Sequence, residues 1–260
     1  MRQQRIALPA ALLIWAAPAL ADGALDALVA AYPDHLAGIE GNELVWKDGT
    51  RMPVSDGRSN KTFEQLLENP DLNDQFAIPY PLGRDFKVPA ENQDPGRIRN
   101  EAFFVKMYGE CRKREVENRL KPLDWLTDQG GSMLRVTGIN GVDVRLAAVA
   151  RELGSLPKDM ARFLVPSAGT YNCRPVAGTK RLSVHAYGAA IDLSTKFGDY
   201  WRWGSGKSAG SWRNRIPLEI VEIFERHGFI WGGKWAHYDT FHFEYRPEII
   251  AFAKQGWIRK

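Results

Sequence analysis

The sequence contains little cysteine and no basic tract of the kind that binds nucleic acid. Cys111 and Cys173 are its only cysteines in 260 residues, and its formal net charge is +4. Lysine and arginine are not clustered and interleaved with aromatic residues, so we expect an ordinary solvated basic surface and no nucleic-acid partner. Internal repeats and low-complexity tracts are also absent. The length therefore favours one elaborated domain or two small ones.

Long apolar runs are missing after the N-terminus. Residues 1–5 are M-R-Q-Q-R, and residues 6–21 are I-A-L-P-A-A-L-L-I-W-A-A-P-A-L-A. A basic start, a short apolar stretch and small residues at its end predict a secretory signal that is cleaved after Ala21. The alternative is an N-terminal membrane anchor, for which the run is short. We expect a periplasmic or secreted protein with no stable membrane insertion after cleavage.

Export bears on the two cysteines. An oxidising compartment permits a disulfide between Cys111 and Cys173, and the alternative is a pair of buried free thiols. The disulfide would close a loop of about sixty residues and stabilise the fold by about 4 kcal/mol in the chain-entropy model.

The hydrophobic pattern predicts helices mixed with a few short strands. We expect a helix over residues 22–34, a hairpin over 43–54 and a long helix over 98–121 that Gly109 can interrupt. The Pro-rich stretch 70–95 is expected to lie over a surface. This order predicts an α+β fold, with a small antiparallel sheet flanked by helices.

Two short segments carry the residues best suited to chemistry. S-V-H-A-Y-G-A-A-I-D contains His185 and Asp192, and D-T-F-H-F-E contains Asp239 and His242. Two imidazoles and one carboxylate can hold zinc with a fourth position open for water, and the second carboxylate can then act as a base. Each pair alone is weak evidence, because a buried structural histidine is the commoner explanation.

Together the segments resemble a known family. The pattern S-x-H-x-x-G-x-A-x-D followed by W-G-G-x-W-x-x-x-D-x-x-H-F is that of zinc D-Ala-D-Ala carboxypeptidases and L-alanyl-D-glutamate peptidases, which share a core with Hedgehog signalling domains. The resemblance implies that core, a Zn2+ cofactor, and His185, Asp192 and His242 as its ligands; such a set would also accept cobalt or manganese. It also implies Asp239 as the general base and Arg174 as the group that stabilises the oxyanion.

The resemblance covers about residues 130–250 and implies peptidoglycan stem peptides as substrates. Ser183, Tyr187, Trp235 and His237 are predicted to contact substrate or support the site. An aspartate at position 239 favours an exported endopeptidase of the L-alanyl-D-glutamate type. A D-Ala-D-Ala carboxypeptidase and a non-catalytic zinc-containing wall-binding module are the alternatives.

The predicted organisation has three parts. Residues 1–21 are the signal peptide, residues 22–100 an N-terminal extension with no assignable motif, and residues 101–260 the zinc peptidase domain. Several tryptophans surround the motifs and are interpreted either as core or as a rim for substrate that includes residues 200–206. The oligomeric state is left open.

Overall fold

The computed structural model describes residues 18–203 and 211–258. Most of the predicted signal peptide, residues 1–17, lies outside these ranges, so the signal and its cleavage stay predictions. No helix of the described part is both long enough and apolar enough to cross a bilayer. The helices are α1 (Pro18–Ala31), α2 (Phe63–Glu68), α3 (Glu101–Tyr108), α4 (Val142–Gly154), α5 (Ala161–Leu164), α6 (Leu218–Arg226) and α7 (Pro247–Ile258). The strands are β1 (Leu36–Glu40), β2 (Glu43–Trp46), β3 (Arg51–Pro53), β4 (Leu120–Trp125), β5 (Ser132–Thr137), β6 (Ala190–Asp192), β7 (Phe229–Trp231) and β8 (His242–Tyr245).

These elements form an α+β fold, as predicted, but the strands make three small sheets instead of one. β1–β2–β3 is an antiparallel N-terminal sheet, and β4 pairs with β5. In the third sheet β8 lies between β6 and β7 and is antiparallel to both. This third sheet contains two of the three candidate metal ligands.

The prediction of a long helix over residues 98–121 is wrong. Helix α3 ends at Tyr108, and Gly109 follows with a φ of +102°, a conformation that favours glycine and stops a helix. The chain then makes short turns and enters β4 at Leu120, which pairs with Thr137 of β5. Pairing with the next strand, which helical periodicity does not reveal, decides the structure at the end of this segment.

The two cysteines form the expected disulfide. Cys111, just after α3, is bonded to Cys173, and their Cα atoms are 5.7 Å apart. The bond joins the end of α3 to the loop that carries Arg174. The loop's position beside α3 is therefore fixed covalently.

The N-terminal region shares one hydrophobic core with the rest of the chain. Leu28, Trp46 and Phe76 belong to the same buried cluster as Phe103 and Phe104. The stretch 70–95 was expected to lie over a surface, but its apolar side chains Leu72, Phe76 and Tyr80 are buried. The boundary at residue 100 stays a prediction, since packing continues across it.

Polar contacts also join this region to the third sheet. The buried Lys234 pairs with Glu225 of α6, and its Nζ donates to the carbonyl oxygens of Pro81 at 2.6 Å and Gly83 at 2.7 Å. The Tyr80 hydroxyl donates to Glu225 Oε1 at 2.6 Å. The stretch around residues 80–83 is therefore anchored beside β7.

Candidate functional site

His185 lies on a short 3₁₀ turn, Val184–Tyr187, just before β6. The Ser183 hydroxyl caps this turn by accepting from the His185 N–H at 3.4 Å. Gly188 ends it with a φ of +67°, and a Cβ at that position would lie 2.7 Å from Leu120 Cδ2. The left-handed φ favours glycine here, and this glycine lets the chain turn from His185 directly into β6.

Strand pairing brings the other two candidate ligands together. Asp192 at the end of β6 is the direct cross-strand partner of His242 at the start of β8. The backbone of Asp192 is held further by an isolated bridge with Gly169. The register of the sheet thus brings together two side chains that are fifty positions apart in sequence. It places both on the face where His185 lies.

The three side chains converge through one atom each. His242 Nδ1 is 2.9 Å from Asp192 Oδ1 and 3.1 Å from His185 Nε2. His185 Nε2 is 3.2 Å from Asp192 Oδ1. Ligand atoms about 2.0 Å from a tetrahedral zinc lie roughly 3.3 Å apart, so the spacing of this group fits a zinc ion. The structure therefore brings the three predicted ligands together, while their binding of a metal stays a prediction.

The opposite nitrogen of each histidine has its own partner. His185 Nδ1 is 2.5 Å from the Thr170 carbonyl oxygen, which can only accept, so Nδ1 carries the proton and Nε2 presents a lone pair to the centre. His242 Nε2 is 3.2 Å from Glu244 Oε2. Such outer contacts orient metal-binding imidazoles and fix their tautomers. Arg99 Nη1 holds Glu244 in turn, at 3.4 Å from both carboxylate oxygens.

The electrostatics of this group favour a cation. Burial would raise the pKa of Glu244, but Arg99 and His242 lower it to about 2. Burial likewise opposes ionisation of Asp192, yet the neighbouring histidines hold its pKa below the usual range. Burial lowers the pKa of His242, whereas its hydrogen bonds with Asp192 and Glu244 raise it to about 10. The ionised carboxylates of Asp192 and Glu244 thus stabilise a positive charge on His242. A metal ion would replace the proton that carries this charge.

Asp239 lies beside this group without belonging to it. Its backbone N–H donates to the Gly232 carbonyl at 3.0 Å, which fixes the loop before β8. Its Oδ1 is buried and has no hydrogen-bond partner among the described residues. Burial and the charge of Asp192 raise the pKa of Asp239 to about 7. A buried, unpartnered carboxylate oxygen with such a pKa fits a group that exchanges protons near neutral pH.

The donors and Asp239 open into a cavity of about 230 Å³. Arg174, Ser183, Trp235 and His237 line it, and Arg174 is exposed. Tyr187 does not line this cavity. It faces a neighbouring one, and its buried ring packs against Phe104 and Tyr108.

The tryptophans divide between core and rim. Trp231 is fully buried, and its indole N–H donates to the Thr240 carbonyl at 2.7 Å. Trp203 is 56% exposed, stacks on Phe241 and lines the cavity. Residues 204–206 of the predicted rim lie outside the described residues.

Sequence reasoning missed several residues of the site. Glu244 had a signal, because residues two apart on a strand share a face and His242 is a candidate ligand. Asp94, Arg97 and Arg99 had none, since they come from the N-terminal extension without a motif. Arg97 and Arg99 line the cavity, and Asp94 binds His237 behind its wall.

Comparison with known families bears on the same segment. Residues 177–245 match a family model described as D-alanyl-D-alanine carboxypeptidase. The match covers less than half of the chain; it includes the three candidate ligands and Asp239, and Arg174 lies outside it. Among curated proteins and among solved structures, no significant match was found. The family match supports, at a coarse level, a hydrolase of the zinc peptidase family.

Proposed function

We propose that this protein is an exported zinc metallopeptidase that hydrolyses peptide bonds in the stem peptides of peptidoglycan. The observation that carries the proposal is the convergence of His185, Asp192 and His242 through atoms 2.9–3.2 Å apart. The Asp239 carboxyl lies next to them, and its Oδ1 has no hydrogen-bond partner in the part of the chain that the structure describes. The family match over the same segment supports peptide-bond hydrolysis.

The residues divide the chemistry among themselves. Zinc held by the three donors would supply a Lewis acid for the scissile carbonyl and would acidify a water molecule. Asp239 takes the proton from the attacking water and returns it to the leaving amine, a double role that its pKa of about 7 suits. Arg174, an exposed cation at the same cavity, donates hydrogen bonds to the developing oxyanion.

Two bond specificities fit this chemistry. Aspartate at position 239 favours the L-alanyl-D-glutamate endopeptidase, and this is the activity we propose. The description of the matching family favours removal of a terminal D-alanine instead.

The disulfide between Cys111 and Cys173 supports an exported protein in either case, because such bonds persist in oxidising compartments.

The test is mass spectrometry of purified muropeptides incubated with the protein, with and without a chelator. Release of a peptide that begins at D-glutamate supports the endopeptidase, and loss of one alanine supports the carboxypeptidase. No cleavage by a protein that binds one zinc would contradict both and favour a non-catalytic wall-binding module.

Asp239→Asn tests the assignment of the base. We expect it to bind zinc as the unchanged protein does and to lose about 100- to 10,000-fold in turnover, the usual contribution of general acid–base catalysis. Asp128→Asn, on the exposed surface, is the matched control and should retain full activity. Normal turnover by Asp239→Asn with normal metal content would remove Asp239 from the role.

A further inference from the structure

We propose that Arg97 binds a free carboxylate of the substrate peptide and thereby makes the site selective for peptides that carry one near the scissile bond. The inference rests on the proposed peptidase function and deepens it, because it names the substrate group that the N-terminal region recognises.

Arg97 lies on the wall of the cavity that the N-terminal region builds. It lines the same cavity as Asp239, Trp235 and Arg174. It lies outside the segment that matches the family model, so the inference does not depend on that match. The substrate-facing surface of this pocket is thus built partly by a region with no recognisable motif.

The guanidinium of Arg97 is held by a buried anchor. Its Nη1 donates to Asp94 Oδ2 at 2.6 Å, and the Asp94 side chain is fully buried while that of Arg97 keeps 12% of its surface exposed. Asp94 also accepts from the backbone N–H of His237 at 3.0 Å, and its Oδ2 is 2.7 Å from His237 Nδ1. The guanidinium lies 5.8 Å from the centre of the Trp235 ring. Arg97 is therefore positioned before any ligand arrives.

Most donors of this guanidinium remain available. Within residues 18–203 and 211–258, the contact with Asp94 is the only side-chain hydrogen bond of Arg97. Arginine carries several N–H donors in a planar fork, so one contact leaves an edge free. Asp94 is buried behind Arg97 and does not line the cavity. The guanidinium of Arg97 therefore faces the cavity, whereas the carboxylate that balances its charge does not.

The other two arginines of the cavity have different surroundings. Arg99 Nη1 holds Glu244, which supports His242, so Arg99 serves the metal side of the site. Arg174 is exposed, and among the described residues its guanidinium donates only to the neighbouring Pro175 carbonyl, at 3.3 Å. Arg97 is the one with a buried anchor and a free edge.

A carboxylate is the ligand that this arrangement suits best. The planar fork pairs with a carboxylate through charge-assisted hydrogen bonds. A stem peptide offers two sources of this group: its C-terminal carboxylate and the free α-carboxylate of a glutamate linked through its side chain. The glutamate carboxylate lies next to the L-alanyl-D-glutamate bond, whereas the C-terminal carboxylate lies next to the terminal D-Ala-D-Ala bond.

The experiment compares four synthetic stem peptides with the zinc-loaded protein. They carry the C-terminus as acid or amide, and the glutamate α-carboxyl as acid or amide. We expect the unchanged protein to prefer one acid over its amide by about 10- to 100-fold in kcat/KM, the usual value of a hydrogen bond to a charged group. Arg97→Gln should reduce this preference to about twofold or less, mainly by raising KM for the acid.

Matched variants separate recognition from a general loss of charge or structure. Arg84→Gln removes an exposed arginine that pairs with Glu222 and should keep the full acid preference. Asp94→Asn, which loosens the anchor, should reduce the preference partially. Arg97→Lys keeps the ion pair and loses the fork, so it should reduce the preference several-fold even if Arg97→Gln folds poorly.

Each outcome decides the inference. Equal cleavage of acids and amides by the unchanged protein, or an unaltered preference in the Arg97 variants, overturns it and leaves the peptidase function standing. If no peptide is cleaved, the proposed function fails, and calorimetric titration with the same four peptides decides the inference instead. Selective binding of one acid that is lost in Arg97→Gln supports it, and equal binding of acid and amide overturns it.

Discussion

The two walls of the cavity are built by regions of opposite character. Residues 177–245 carry a specific motif, match a peptidase family and contain the three converging donors and Asp239. The N-terminal region has no motif, and yet its residues Asp94, Arg97 and Arg99 lie on or behind the facing wall. The first region holds the groups suited to chemistry, and the second holds groups suited to selecting what enters.

The two walls are also held in place differently. Backbone geometry places the donors: a capped turn for His185 and strand pairing between Asp192 and His242. The facing wall depends on side-chain contacts between residues far apart in sequence, such as those of Lys234 with residues 81 and 83. A motif can therefore describe the first wall, whereas the second exists only in the folded protein.

The largest effect is expected from removing Lys234, which joins Glu225 of α6 to the backbone of residues 81 and 83 in the N-terminal region. Lys234→Met leaves the buried Glu225 without its cation, and we expect this to lower the free energy of unfolding by about 3–5 kcal/mol. Urea unfolding followed by circular dichroism measures the change. Arg226→Met, on the same helix as Glu225, breaks an exposed pair with Glu152 and should cost at most about 1 kcal/mol. Equal costs for the two variants would mean that the Lys234 anchor does not hold the N-terminal wall.

A smaller effect is expected on zinc affinity, at the wall that carries the candidate metal ligands. Glu244→Gln removes the charge that orients His242, and we expect zinc affinity to fall by about 10- to 100-fold. Competition with a chromophoric chelator measures the affinity without relying on activity. Arg97→Gln, on the other wall, should bind zinc normally. A loss of zinc affinity in Arg97→Gln as large as that in Glu244→Gln would contradict the division between the walls.

The smallest effect concerns the pH dependence of stability. Burial opposes ionisation of Asp94, but His237 and Arg97 outweigh it and lower its pKa. A lowered pKa stabilises the fold fully above the unfolded value of about 3.9, and this contribution is lost as the pH falls through the folded pKa. The free energies of unfolding of the unchanged protein and of Asp94→Asn should therefore differ above about pH 5 and converge as the pH falls below about 4. A constant difference down to pH 3 would show that the Asp94 charge does not stabilise this wall.

Several features could be predicted from local patterns. The α+β class, helix α1 and the β2–β3 hairpin follow from periodicity and turn signals. The prediction of a long helix over 98–121 is wrong, because Gly109, with its positive φ, ends α3. The stretch 70–95 looked like surface, since its few apolar residues are separated by Pro, Asn and Asp, and yet Leu72, Phe76 and Tyr80 reach the common core.

By itself, the sequence determined which residues were candidates for chemistry: the combined motifs S-V-H-A-Y-G-A-A-I-D and D-T-F-H-F-E, through their family resemblance, implied His185, Asp192, Asp239 and His242. The tertiary structure alone decided which nitrogens face the centre, that Glu244 supports His242, and that Tyr187 lies in a neighbouring cavity. It also brought Arg97 to the facing wall. Ligand type and spacing are local properties of a chain, whereas burial, tautomer and charge pairing depend on which distant side chains the fold brings into contact.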